Sequence, residues 1–126
     1  MDKERQLFFD TNALLILQEK AFHQGHFFIS QQTLQEIESI KVNSHKDADV
    51  KCKARKCAKL LDQYHADYTV VPTSLDIINS VYDMNLEISP DAIIIAAAKS
   101  VESNTGLPIT FVSEDVAAKC LARSVG

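Results

Sequence analysis

Four short runs of β-forming residues recur along the chain, separated by stretches with helical spacing, and this alternation limits the folds open to it. The runs are "QLFF" (6–9), "FFI" (27–29), "YTVV" (68–71) and "ITFV" (109–112). Helical patterns fill 12–22, 31–42, 51–65, 74–84, 90–103 and 115–123. Strands alternating with helices predict an α/β fold on a parallel sheet. There is no internal repeat and no linker rich in Pro, Gly or Ser, so the 126 residues are read as one domain, 1–126. With 46% hydrophobic residues and only three Gly and three Pro, disorder and fibrous classes are excluded.

Other classes fall away on local grounds. The longest apolar runs, "ALLIL" and "AIIIAAA", are far shorter than the roughly 20 residues of a membrane span. The start "MDKERQ" lacks the basic-then-apolar form of a signal peptide, so a cytoplasmic protein without a membrane partner is expected. Cys52, Cys57 and Cys120 have neither zinc-finger nor CxxC spacing and are read as reduced, small hydrophobic residues. His23 and His26 are read as solvated residues at a helix end.

The acids carry the chemistry. In an open parallel sheet, ligands bind outside the carboxyl ends of the strands, at the point where strand order reverses. Asp10 directly follows "LFF", an apolar strand that hands over to the apolar helix "ALLIL". A lone carboxylate at the edge of a core is costly unless its charge is needed there. Asp115 follows the "ITFV" strand, and Asp91 opens the helix of "ISPDAIIIAAAKS", with Ser89 as N-cap and Pro90 at the first helical position. Glu36, in "TLQEIESIK", borders the buried face that Leu34 and Ile37 mark, whereas Glu38, two residues on, points elsewhere. Asp91 and Asp115 also have ordinary readings, as a helix-dipole partner and an N-cap, but Asp10 and Glu36 have none. Four converging carboxylates repel one another and call for a hard cation such as Mg²⁺, which prefers oxygen ligands. Two such ions about 3.5 to 4 Å apart would clamp the attacking and leaving oxygens of a phosphoryl displacement.

"FFDTNALL", "ISQQTLQEIESIK", "SPDAIIIAAA" and "FVSEDVAAKCLA" resemble, in order and spacing, the successive motifs of PIN-domain nucleases. The resemblance covers nearly the whole chain. It is nearest to the subset with an "EL-x-x-lK" type second motif and an "AR" helix, here "KARKCAKLLDQ". It implies a three-layer α/β/α sandwich with strand order 3-2-1-4, and a metal-dependent endoribonuclease that prefers single strands. Asp10, Glu36, Asp91 and Asp115 would hold Mg²⁺ or Mn²⁺, with Asn12 and Ser113 in supporting roles. Glu114 stands where the family often has a neutral residue, so the fourth ligand is either Glu114 or Asp115. The family's usual fifth strand has no counterpart in the sequence, which suggests a fragment of a longer protein or an edge covered by a partner chain.

Net charge is −4, an unusual value for a nucleic-acid binder, but the charge is unevenly distributed. Between Lys41 and Lys59, seven basic residues face only Asp47 and Asp49, a local +5 that leaves −9 for the rest. Ala54, Cys57, Ala58 and Leu61 form a buried stripe, while Lys51, Arg55 and Lys59 recur every four residues on another face. Such a stripe suits an RNA backbone, and equally a solvated helix face. A receiver-like signalling domain is the rival of another class, but "VVPTS" lacks the phosphoacceptor Asp it needs. A non-catalytic PIN-like scaffold for RNA or protein is the second. The partners expected are single-stranded RNA and, for the open edge, a homodimer mate, a downstream segment or an antitoxin-like protein.

Overall fold

The computed structural model describes residues 6–43, 45, 47–113, 120, 122 and 123. Among them lie four strands, β1 (Gln6–Phe9), β2 (Phe27–Ser30), β3 (Tyr68–Val71) and β4 (Ile109–Val112), all parallel and ordered β3-β2-β1-β4. Five α-helices connect them: α1 (Thr11–Leu17), α2 (Gln31–Val42), α3 (Ala48–Gln63), α4 (Leu75–Asp83) and α5 (Pro90–Thr105).

The pleat sorts neighbouring residues to opposite faces. Phe9, Phe27 and Ile29 pack with Leu14, Ile37, Cys57 and Leu61 under α1, α2 and α3. Phe8 instead packs with Ile94, Ala97 and Val101 of α5 on the far side, with Phe111 beside it. The result is the three-layer α/β/α sandwich. Phe9 and Phe27 meet edge to face at 4.9 Å, and each phenylalanine buried this fully contributes roughly 1.5 to 3 kcal/mol. Helix α5 is buried almost all round at Ala92 to Ala98, because the sheet covers one side and Ile77 and Val81 of α4 another. It ends at Gly106, which adopts φ 71° and returns its N–H to the Glu102 carbonyl, a left-handed cap that favours glycine.

The boundaries differ from expectation where local bonds intervene. The helix predicted over 12–22 breaks at Gln18, which takes φ 50° and donates its N–H to the Leu14 carbonyl. A 3₁₀ segment, Gln18–His23, then tucks Phe22 against Tyr64 at 5.1 Å. Helix α3 starts at Ala48 rather than 51 because the Asp47 side chain accepts from the Asp49 N–H at 3.0 Å. Its buried stripe is Ala54, Cys57, Leu60 and Leu61, with Leu60 in the place predicted for Ala58. Of the helix predicted over 115–123, Cys120, Ala122 and Arg123 are helical, and the remainder lies outside the described residues. No described helix is long and apolar enough to cross a membrane. All three cysteines are free, and burial pushes the Cys57 thiol up to about 11.

Candidate active site

Strand order reverses at β1: β2 and β3 lie to one side, β4 to the other. The crevice between the carboxyl ends of β1 and β4 is therefore the switch point. Phe9 pairs with Val112, so the next residues, Asp10 and Ser113, leave the sheet side by side. The ladder carries on one step, with the Asp10 N–H on the Val112 carbonyl at 3.1 Å. Both side chains are buried, Asp10 at 5% exposure and Ser113 at 3%, and the Ser113 hydroxyl donates to Asp10 Oδ2. Asp10 Oδ1 accepts the Ala13 N–H at 2.8 Å and so N-caps α1. The sequence left Asp10 without a structural role, and the structure supplies one.

Helix α2 brings the second acid. Ser30 caps it by accepting the Gln32 N–H at 3.1 Å, and Thr33 and Ile37 turn fully inward. Glu36 lies at the border of that face, half-buried. Thr11, the residue after Asp10, donates its hydroxyl to Glu36 Oε1 at 2.9 Å and stands 3.2 Å from the Thr33 hydroxyl. A hydroxyl has one proton to give. When Thr11 gives it to an ionised Glu36, the Thr33 hydroxyl must donate to Thr11. Burial raises the Glu36 carboxyl above its ordinary range; the Thr11 bond counters this, while the nearby charges of Asp91 and then Asp10 raise it further. Asp91 is exposed in the first turn of α5, where Ser89 accepts the Ala92 N–H at 3.1 Å. Glu36 thus senses the charge of two of the other predicted acids, though burial moves it most.

Glu114 and Asp115 lie outside the described residues, as does Lys46. Asn12 is exposed beside Asp10. Glu38 is turned to Lys41 at 3.2 Å, away from Glu36. On α3, Lys51 is half-buried and Arg55 and Lys59 are exposed, while Lys53 pairs with Asp49 at 3.3 Å. Thr11 and Thr33 are the site residues that sequence reasoning missed. Their only signal is placement: Thr11 follows the strand-end acid, and Thr33 precedes Glu36 by three residues on one helix face. Among the described residues, no three His, Cys, Asp or Glu side chains come close enough together to hold a metal ion. The donor set nevertheless has the chemistry a hard divalent cation takes, carboxylates only, with Glu36 raised chiefly by burial and further by Asp91 and Asp10.

Fold and site together define a parallel α/β domain with an acidic crevice at its switch point. Residues 7–126 match the sequence profile of the PIN domain, and the chain belongs to that family. PIN domains are generally nucleases, and typically use divalent metals. No curated protein matches the chain.

Proposed function

We propose that the chain is an endoribonuclease that cleaves single-stranded RNA in the cytoplasm, with Asp10, Glu36, Asp91 and Asp115 holding Mg²⁺ or Mn²⁺. The observation that carries this reading is a buried Asp10 at the switch point of a PIN domain, beside the carboxyl end of β4. A divalent cation held there would supply charge stabilisation and activate a water for hydrolysis of the phosphodiester. Asp10, held by Ala13 and Ser113, presents a carboxylate of settled orientation. Thr11 orients Glu36, Asn12 stands at the mouth, and Glu114 is the alternative to Asp115. The products are a 5′-phosphate and a 3′-hydroxyl. Lys51, Arg55 and Lys59 track the phosphate backbone, and a second copy or an antitoxin-like protein pairs with the outer edge of β4.

The test is cleavage of end-labelled single-stranded RNA with Mg²⁺, Mn²⁺ or EDTA. Cleavage that needs the metal and stops with Asp10→Asn supports the reading, and full activity in EDTA would overturn it. If the α3 stripe contacts phosphates, replacing its three cations by Ala lowers the slope of log K against log salt by about 0.7 per lost contact. An unchanged slope returns the stripe to a solvated face.

A further inference from the structure

Next to the acids runs an open groove of about 470 Å³ that shares Thr11 and Glu36 with them and is otherwise lined by Asn12, Gln32, Gln35, Ser39 and Ile40. Its chemistry differs from that of the α3 stripe. No Lys or Arg lines it, and its one charge is the Glu36 carboxylate, which repels a phosphate. The other polar groups are neutral, and three are carboxamides, each with a donor pair and an acceptor on one plane. Among the described residues, the side-chain amides of Asn12, Gln32 and Gln35 make no hydrogen bond. The neighbouring Gln31, outside the groove, accepts the Thr73 N–H at 2.8 Å and is tied into the fold. Gln32, Gln35 and Ser39 follow one another at three- and four-residue spacing, so they form a ladder along one face of α2. Ile40 adds an apolar wall.

Single-stranded RNA offers phosphates, sugars and unpaired bases, and its sequence is read on base edges by groups that donate and accept in one plane, with apolar surface against the base face. From this we infer that the groove is a base-reading subsite. A nucleobase next to the cleaved phosphate lies against Ile40 with its edge on Gln32, Gln35 and Asn12, while the α3 stripe takes the backbone. The inference rests on the reading of the chain as a protein that acts on RNA, and deepens it by assigning where sequence preference arises.

The experiment is fluorescence anisotropy of labelled oligo(A), oligo(C) and oligo(U), and of an abasic oligomer of equal length, in EDTA at low salt. Wild type is compared with the Gln32→Ala/Gln35→Ala double variant, whose melting temperature reports that the fold is intact. Wild type is expected to favour one homopolymer by at least about fivefold. The double variant is expected to bring the three homopolymers within about twofold and to leave abasic binding unchanged. Equal wild-type constants, no binding, preference retained by the variant, or an equal loss for the abasic oligomer would each overturn the inference. Because EDTA stops metal-dependent cleavage, binding is read apart from it and the two readings fail separately. A wild type that discriminates among bases but cuts nothing with Mg²⁺ overturns the nuclease and leaves the subsite standing.

Discussion

The β1 side of the crevice and its α2 side present carboxylates on the same edge of the sheet, yet the fold holds them in opposite ways. Asp10 is sunk to 5% exposure and bonded through both oxygens, so removing its side chain takes structure with it. Glu36 is half-buried, raised by desolvation and by its acidic neighbours, and offset by one threonine hydroxyl. The first acid belongs to the architecture. The second is held there against its own preference, as happens where a protein keeps a charge for use.

The largest expected effect comes from breaking the architectural side. Asp10→Ala removes a cap worth about 0.5 to 2 kcal/mol and the carboxylate to which the buried Ser113 hydroxyl donates, about 1 to 3 kcal/mol more. Urea denaturation in EDTA should show a combined loss of about 1.5 to 5 kcal/mol, with cleavage abolished. Asp10→Asn should abolish cleavage while keeping most of the stability, because asparagine caps as well as aspartate. Equal instability of the two variants would mean that charge, not capping, gives Asp10 its structural role.

Thr11→Val tests the strap between the two sides. It strips a charged acceptor of its donor, and the expected loss at neutral pH is about 1.5 to 3 kcal/mol. The loss should shrink in acid, where Glu36 is protonated folded or unfolded. Thr33→Val should act in the same direction but by only about 0.5 to 1.5 kcal/mol, and Thr33→Ser should restore it. A larger effect from Thr33 than from Thr11 would reverse the order in which the two hydroxyls serve Glu36.

The smallest effect should have the opposite sign. Because the folded-state carboxyl of Glu36 lies above its ordinary value of 4.5, the native state holds its proton longer than the unfolded chain does. Stability therefore falls as pH rises from that value through the raised one, and stays lower above it. Glu36→Gln should raise the melting temperature slightly at neutral pH in EDTA and leave it unchanged well below pH 4.5. Added Mg²⁺ should stabilise the wild type more than this variant, since a ligand bound only by the native state adds to its stability. A neutral-pH loss for Glu36→Gln would place Glu36 with Asp10 on the architectural side.

The contrast between the two acids also marks what could be read from the sequence. Strand order and layering were legible because "QLFF", "FFI", "YTVV" and "ITFV" are short, apolar and regularly separated, and because α5 announces its start with Ser89 and Pro90. The break at Gln18 was not legible: glutamine does not advertise a positive φ, and the turn exists to seat Phe22 against Tyr64 far along the chain. Asp10 was legible as an acid at a strand end but not as a cap, because the helix was placed from residue 12 whereas it starts at Thr11, directly after an aspartate suited to capping it. Thr33 could not be singled out at all. A threonine inside a helix is unremarkable until tertiary packing brings Thr11 to 3.2 Å.

The Asp10 to Ser113 bond joins residues 103 apart, and β1 completes its pairing only with Ile109 to Val112. On a chain made from the N-terminus, β1 and β2 can meet early, but the crevice waits until β4 has left the ribosome. Such non-local pairing is slow as well as late. The acids are therefore assembled only after β4 has been made, while a nascent chain is still beside the message that encodes it. A truncated product ending before Ile109 would carry Asp10, Glu36 and Asp91 but lack the strand that sets Asp10 in place. For a protein whose family cuts nucleic acid, timing of this kind works as a built-in delay.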